Sequence, residues 1–140
     1  MKYSGRSAFS LVELMVVVVI IGLLSSLVAV QTRSYLIASK QNAARAEIST
    51  MISALESFYA DQSRYPTNDE GIAILKNGTP SFPDGFLKKL PLDPWGHAYE
   101  YMSPGANSPF EIICLGADGR EGGDGGNADI SSEALDAKAK

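Results

Sequence analysis

Cysteine is almost missing from this chain of 140 residues: Cys114 stands alone, which excludes an intramolecular disulfide and any multi-cysteine metal site. Histidine is as scarce, and His97 by itself supplies little for a His-based catalytic centre. Clustered cations are missing too, with 12 Lys and Arg scattered among 16 Asp and Glu for a formal net charge of −4. Such an acidic body is a poor partner for nucleic acid, whose phosphates need grouped positive charge. No phosphate-cradling glycine loop occurs, since the clustered glycines are interleaved with acids. Charge is absent from residues 14–30, and neither glycine nor proline occurs between Leu23 and Tyr65. The folded part must therefore be held by packing, by assembly, or by an ion bound through oxygen atoms.

What is present begins with residues 9–30, FSLVELMVVVVIIGLLSSLVAV. About 20 apolar residues cross a bilayer core as a helix, because a helix satisfies its own backbone where no water can. Lys2 and Arg6 precede the run, which places the N-terminus on the cytoplasmic side. The run is longer than the apolar core of a cleaved secretory signal and passes directly into a helical pattern, so an anchor is expected. Ser25 and Ser26 read equally as a helix-packing patch or as tolerated polar residues in a span. Glu13 is out of place: a carboxylate at the membrane edge costs a few kcal/mol or more unless paired. Either it draws a cation from a neighbouring copy and thereby drives assembly, or it lies at headgroup level and solvates the helix start.

Beyond the anchor, Ile37, Ala44, Ile48, Met51, Ile52, Leu55, Phe58 and Tyr59 recur every three or four residues, one apolar stripe of an amphipathic helix. One helix of about 50 residues, over 10–61, would be about 75 Å long. Pro66 ends it and biases Tyr65 to an extended conformation. Asn68 is expected to cap a short helix over 69–76 with Gly78 past its end. Residues 79–96 are loop-like, and 98–102 and 110–115 read as two strands joined by a turn-rich stretch. A small antiparallel sheet laid on the stripe is the economical cover, with Trp95 as a packed anchor. His97 reads as a surface residue and residues 133–140 as a frayed polar tail.

Residues 115–130, LGADGREGGDGGNADI, form an acidic glycine loop. Its oxygens on Asp118, Glu121, Asp124, Asn127 and Asp129 suit Ca²⁺, a hard ion that takes six to eight of them. The spacing does not match an EF-hand, and a solvated acidic loop is the alternative.

Two resemblances sharpen this. Ala8-Phe9-Ser10-Leu11-Val12-Glu13 and the aliphatic run resemble the class III signal of type IV pilins and pseudopilins. That implies cleavage between Ala8 and Phe9 by a prepilin peptidase, with N-methylation of Phe9. The chain departs in having Ala8 where the family has Gly, and Val30 where many pilins have Pro. Cleavage creates an α-amine on Phe9, and pairing it with Glu13 of a neighbouring subunit in low dielectric would fix the axial register of assembly. Arg64-Tyr65-Pro66-Thr67, Glu70-Gly71, Leu90-Pro91, Asp93-Pro94-Trp95-Gly96, Tyr99-x-Tyr101, the 115–119 run LGADG and Asn127-Ala128-Asp129-Ile130 resemble the major pseudopilins of bacterial type II secretion.

The resemblance implies an α+β, pilin-like fold: a leader over 1–8, a transmembrane assembly helix over 9–33, a periplasmic domain over 34–132 and a tail over 133–140. It also implies a calcium site, with side-chain oxygens from Asp118 and Asp129, carbonyls from Leu115 and Arg120, and Asp124 less firmly. The expected function is structural rather than enzymatic: a periplasmic helical filament of identical subunits that drives protein export from the inner membrane. Minor pseudopilins and an inner-membrane assembly platform with a cytoplasmic ATPase are the implied partners. A type IV pilin for adhesion or motility is the nearest alternative, though no cysteine pair closes its usual C-terminal loop. A membrane-anchored calcium-dependent binding module is a rival of another class.

Overall fold

A stretch without helix breakers becomes one helix. The computed structural model describes residues 9–138, with the backbone alone at 28–31 and 136–138, and in it α1 covers Leu11–Gln62. The leader, with Ala8, lies outside the described residues. The chain divides into two compact units, one ending at Leu36 and one starting at Ile37.

In the first unit every described side chain of α1 faces outward, and its large apolar residues run from Tyr35 at 78 % exposed to Val17 at 46 %. The helix is long and apolar enough to cross a membrane. Ser25 Oγ donates to the Ile21 carbonyl at 2.7 Å and Ser26 Oγ to that of Leu23 at 2.8 Å, so both hydroxyls are satisfied within the helix.

In the second unit Ala44, Ile48, Met51, Leu55 and Phe58 are buried, the expected stripe stepping by four and three residues, and Ala54 joins them. Ile52 packs against this core half-buried, while Ile37 and Tyr59, 38 % and 45 % exposed, lie outside it. Leu75, Tyr99, Phe110, Ile112, Cys114 and Ile130 close the core from the other side. Burying each large aliphatic contributes about 1.5–3 kcal/mol.

The cover is an antiparallel sheet in the order β1-β2-β3, with β1 at Glu100–Met102, β2 at Glu111–Cys114 and β3 at Ile130–Ser131. Tyr101 pairs with Ile112, and Cys114 with Ile130. Residues 98, 99, 110 and 115 fall outside the ladder, and Ala98 instead bridges Leu92. β3 was not expected, because two residues are too short to show an alternating pattern.

The connection after α1 also differs from expectation. Thr67 and Glu70 form a reciprocal capping box: Thr67 N donates to Glu70 Oε2 at 2.8 Å, and Glu70 N to Thr67 Oγ1 at 3.3 Å. Arg64 grips the same carboxylate with two nitrogens, at 2.7 and 2.9 Å. The helix expected over 69–76 is a 3₁₀ turn, Ile72–Lys76, because Gly71 at φ +56° interrupts the helical course. Asn68 is not its cap; its side-chain oxygen accepts the Ser103 N–H at 2.7 Å. The stretch expected to fray forms α2, Ser132–Lys138. There Glu133 accepts from Asn107 N at 2.7 Å and Ser108 Oγ at 2.9 Å, which holds its carboxyl below its ordinary pKa.

Candidate functional site

Two places carry the chemistry that the sequence singled out. At the start of α1, Ser10 N donates to Glu13 Oε2 and Glu13 N to Ser10 Oγ, both at 3.4 Å. This is a second capping box, which satisfies helix-start donors and sets a negative charge at the positive end of the helix dipole. Among the described residues Glu13 has no cationic partner, and both it and Phe9 are exposed.

The other place is the loop 115–130, a coil that crosses itself. Gly116 sits at φ +66°, and a side chain there would meet the Asn127 backbone at 2.6 Å. Only glycine permits so close a crossing. Ala117 N donates to the Gly126 carbonyl at 3.0 Å across it. On one side of the crossing, Arg120 N donates to Asp118 Oδ1 at 3.2 Å and Gly122 N to Asp129 Oδ2 at 2.8 Å. Asp118 and Asp129 are thereby brought to the same turn, 120–122. Asp124 contributes its backbone to the turn Gly125–Asn127, accepting from Asn127 N at 3.0 Å, and its carboxylate makes no hydrogen bond among the described residues. The carbonyl oxygens of Leu115 and Arg120 likewise accept none there.

The donor chemistry fits a hard cation: two carboxylates tied to one turn, neither in an ion pair among the described residues, with two unengaged carbonyls close in sequence. No group of three or more acidic, His or Cys side chains gathers closely enough to hold a metal among the described residues. Backbone oxygens must therefore complete any such site.

The loop is held from outside by residues to which sequence reasoning gave no such role, and His97, expected at the surface, is half-buried against it. Asp93 is buried, and its Oδ1 accepts from Trp95 N at 2.9 Å and His97 N at 2.8 Å. Its Oδ2 lies 3.4 Å from Cys114 Sγ and 3.5 Å from His97 Nδ1. Burial first, and then the carboxylate beside it, pushes the Cys114 thiol up to about 11, so this is an inert packed cysteine. His97 Nδ1 also lies 3.2 Å from the Gly116 carbonyl. From α1, Gln41 Nε2 donates to the Gly125 carbonyl at 2.7 Å, and Lys40 lies 5.8 Å from the centre of the Trp95 ring. The signal for Asp93 was legible as an Asx turn before Pro94-Trp95-Gly96; nothing local marks Gln41.

Comparison with known proteins places these features together. Residues 32–133 match the family described as type II secretion system (T2SS), protein G, and residues 3–29 match the prokaryotic N-terminal methylation motif. The chain is 40% identical over 139 residues to the type II secretion system core protein G of Pseudomonas aeruginosa, covering 94% of this chain and 98% of that one. It is 39% identical over 138 residues to the core protein G of Vibrio cholerae, covering 94% of each. Its structure is similar to the crystal structure of the major pseudopilin from the type 2 secretion system of enterohaemorrhagic Escherichia coli, at a TM-score of 0.60 and 28% identity, covering 70% of this chain and 90% of that chain.

Proposed function

Since the chain belongs to the type II secretion system protein G family, we propose that it is the major structural subunit of a pseudopilus, a filament whose growth drives protein export. One observation carries this reading. A methylation-motif N-terminus leads into a helix with exposed apolar sides, and that helix is the spine of a protein G domain. The subunit is structural rather than catalytic. It resides in the inner membrane with residues 1–8 cytoplasmic and the domain from residue 34 in the periplasm. Prepilin peptidase cuts between Ala8 and Phe9 and the new amine is methylated.

The exposed apolar half of α1 then packs on lipid or on sister helices. Glu13, whose carboxylate among the described residues meets Ser10, pairs with the Phe9 ammonium of a neighbour. Minor pseudopilins, an assembly platform and a cytoplasmic ATPase supply initiation and energy. The test is the N-terminal residue and mass of the mature protein: N-methyl-Phe at position 9 is expected, and a mature chain beginning at Met1 would overturn the reading.

The acidic loop holds Ca²⁺ in the same reading. Asp118 and Asp129 supply carboxylate oxygens, and Leu115 and Arg120 supply carbonyls, with Asp124 free to join. When bound, the ion neutralises carboxylates that otherwise repel each other. An ion that binds only the folded loop stabilises the domain by mass action. Chelation with EDTA is expected to lower the melting temperature, and an unchanged melt would remove the ion from the account.

A further inference from the structure

We infer that His97 and Gln41, both outside the acidic loop, are positioning residues that set its shape for a divalent cation. The inference rests on the calcium reading above, and it concerns side chains that touch no ion. The self-crossing of the loop joins two segments, 116–117 and the turn 125–127, through the Ala117–Gly126 bond. Each segment is fixed from outside by one side chain. His97 Nδ1 takes the Gly116 carbonyl, and Gln41 Nε2 takes that of Gly125.

Leu115 and Asp118 flank the first segment, while Asp129 follows the second. Fixing the crossing therefore fixes the separation between the two sets of oxygens. A loop with six glycines would otherwise lose much backbone entropy on closing around an ion. Anchors that order it beforehand reduce that cost.

His97 is itself held in place. Its backbone N–H is fixed by Asp93 Oδ1, and its Nδ1 faces two acceptors, the Gly116 carbonyl and Asp93 Oδ2. Two acceptors assign the proton to Nδ1, so the ring donates to the loop whether or not Nε2 is protonated. The ring also lies beneath Gly119, where a side chain would come within 3.2 Å of Nε2. Gln41 sits on α1 beside Ile37, which packs on Gly126, so the second anchor belongs to the core helix.

The experiment is calcium titration of the full chain in detergent micelles, by calorimetry, together with melting curves with and without Ca²⁺. His97→Leu and Gln41→Met keep bulk and lose the donor. Each is expected to weaken Ca²⁺ binding about tenfold, as supporting residues around metal ligands do, and to shrink the melting shift that Ca²⁺ produces. The ion-free melting temperature is expected to stay near that of the parent. His97→Asn, whose side-chain amide can donate from nearly the Nδ1 position, is expected to restore most of the affinity. Parent-like affinity in both Leu and Met variants overturns the inference while leaving the calcium reading intact. An ion-free melt that falls as far as the ion-bound one also overturns it, since the two side chains would then only hold the fold. A parent chain that binds no Ca²⁺ defeats the calcium reading itself, and the inference with it.

Discussion

The two ends of α1 carry the same four-residue device with opposite completeness. At its start Ser10 and Glu13 exchange hydrogen bonds at 3.4 Å, and just past its end Thr67 and Glu70 do so at 2.8 and 3.3 Å. The second carboxylate also receives Arg64 through two nitrogens, and this pair holds the Glu70 carboxyl down at about 2. Among the described residues the first has only its own helix start. Identical local chemistry is thus closed within the chain at one end and open at the other. The helix between them shows the same split: residues 11–27 are exposed all round, whereas residues 44–58 bury a stripe. One end is a finished part of a domain, and the other is a surface that needs company.

The sharpest way to break this contrast is to remove the charge at each end. Glu13→Gln retains an oxygen for the box and loses the anion, so membrane insertion is expected to persist while filament assembly is abolished. Glu70→Gln is expected to assemble normally. Filaments from the Glu13 variant, seen by electron microscopy at parental length, would mean that the box alone suffices.

Next comes the split along the helix. Leu55→Ala is expected to cost the domain about 2–5 kcal/mol in denaturant unfolding followed by Trp95 fluorescence, the usual range for a fully buried leucine. Leu24→Ala, exposed in the apolar half, is expected to leave that unfolding unchanged. Equal losses at the two positions would erase the distinction.

The smallest effect is the pH dependence at the closed end. Glu70 titrates near 4.5 when unfolded and near 2 when folded, so its contribution to stability is complete above about pH 4.5 and lost as the pH falls through about 2. Because the pair is solvent-accessible, the change is expected to be slight and to fade in high salt. Glu70→Gln should flatten only this acid limb of the stability curve.

Much of this was legible in the chain because its signals are local. An unbroken apolar run and, beyond it, a three-and-four spacing of aliphatics sufficed for α1, predicted over 10–61 and found over Leu11–Gln62. Two of the three strands followed from short apolar runs. The 3₁₀ turn at Ile72–Lys76 was read as α-helix because composition does not reveal that Gly71 adopts a positive φ. α2 was read as a frayed tail because its tie to Asn107 and Ser108 spans some 25 residues. The acidic loop announced itself by composition, yet its anchors did not. His97 reaches a carbonyl 19 residues away and Gln41 one 84 residues away, contacts that exist only once the sheet lies on the helix. The crossing at Gly116 was equally hidden, since glycine in a glycine-rich run advertises freedom rather than a particular collision avoided.

The brevity of the outer strands has its own consequence. β1 offers three residues of open rim and β3 two. In the proposed filament a subunit would always lie near another sheet on which it could anneal. A border this short gives an intruding strand too few ladder bonds to take hold. Short rims of this kind disfavour such annealing between neighbouring sheets.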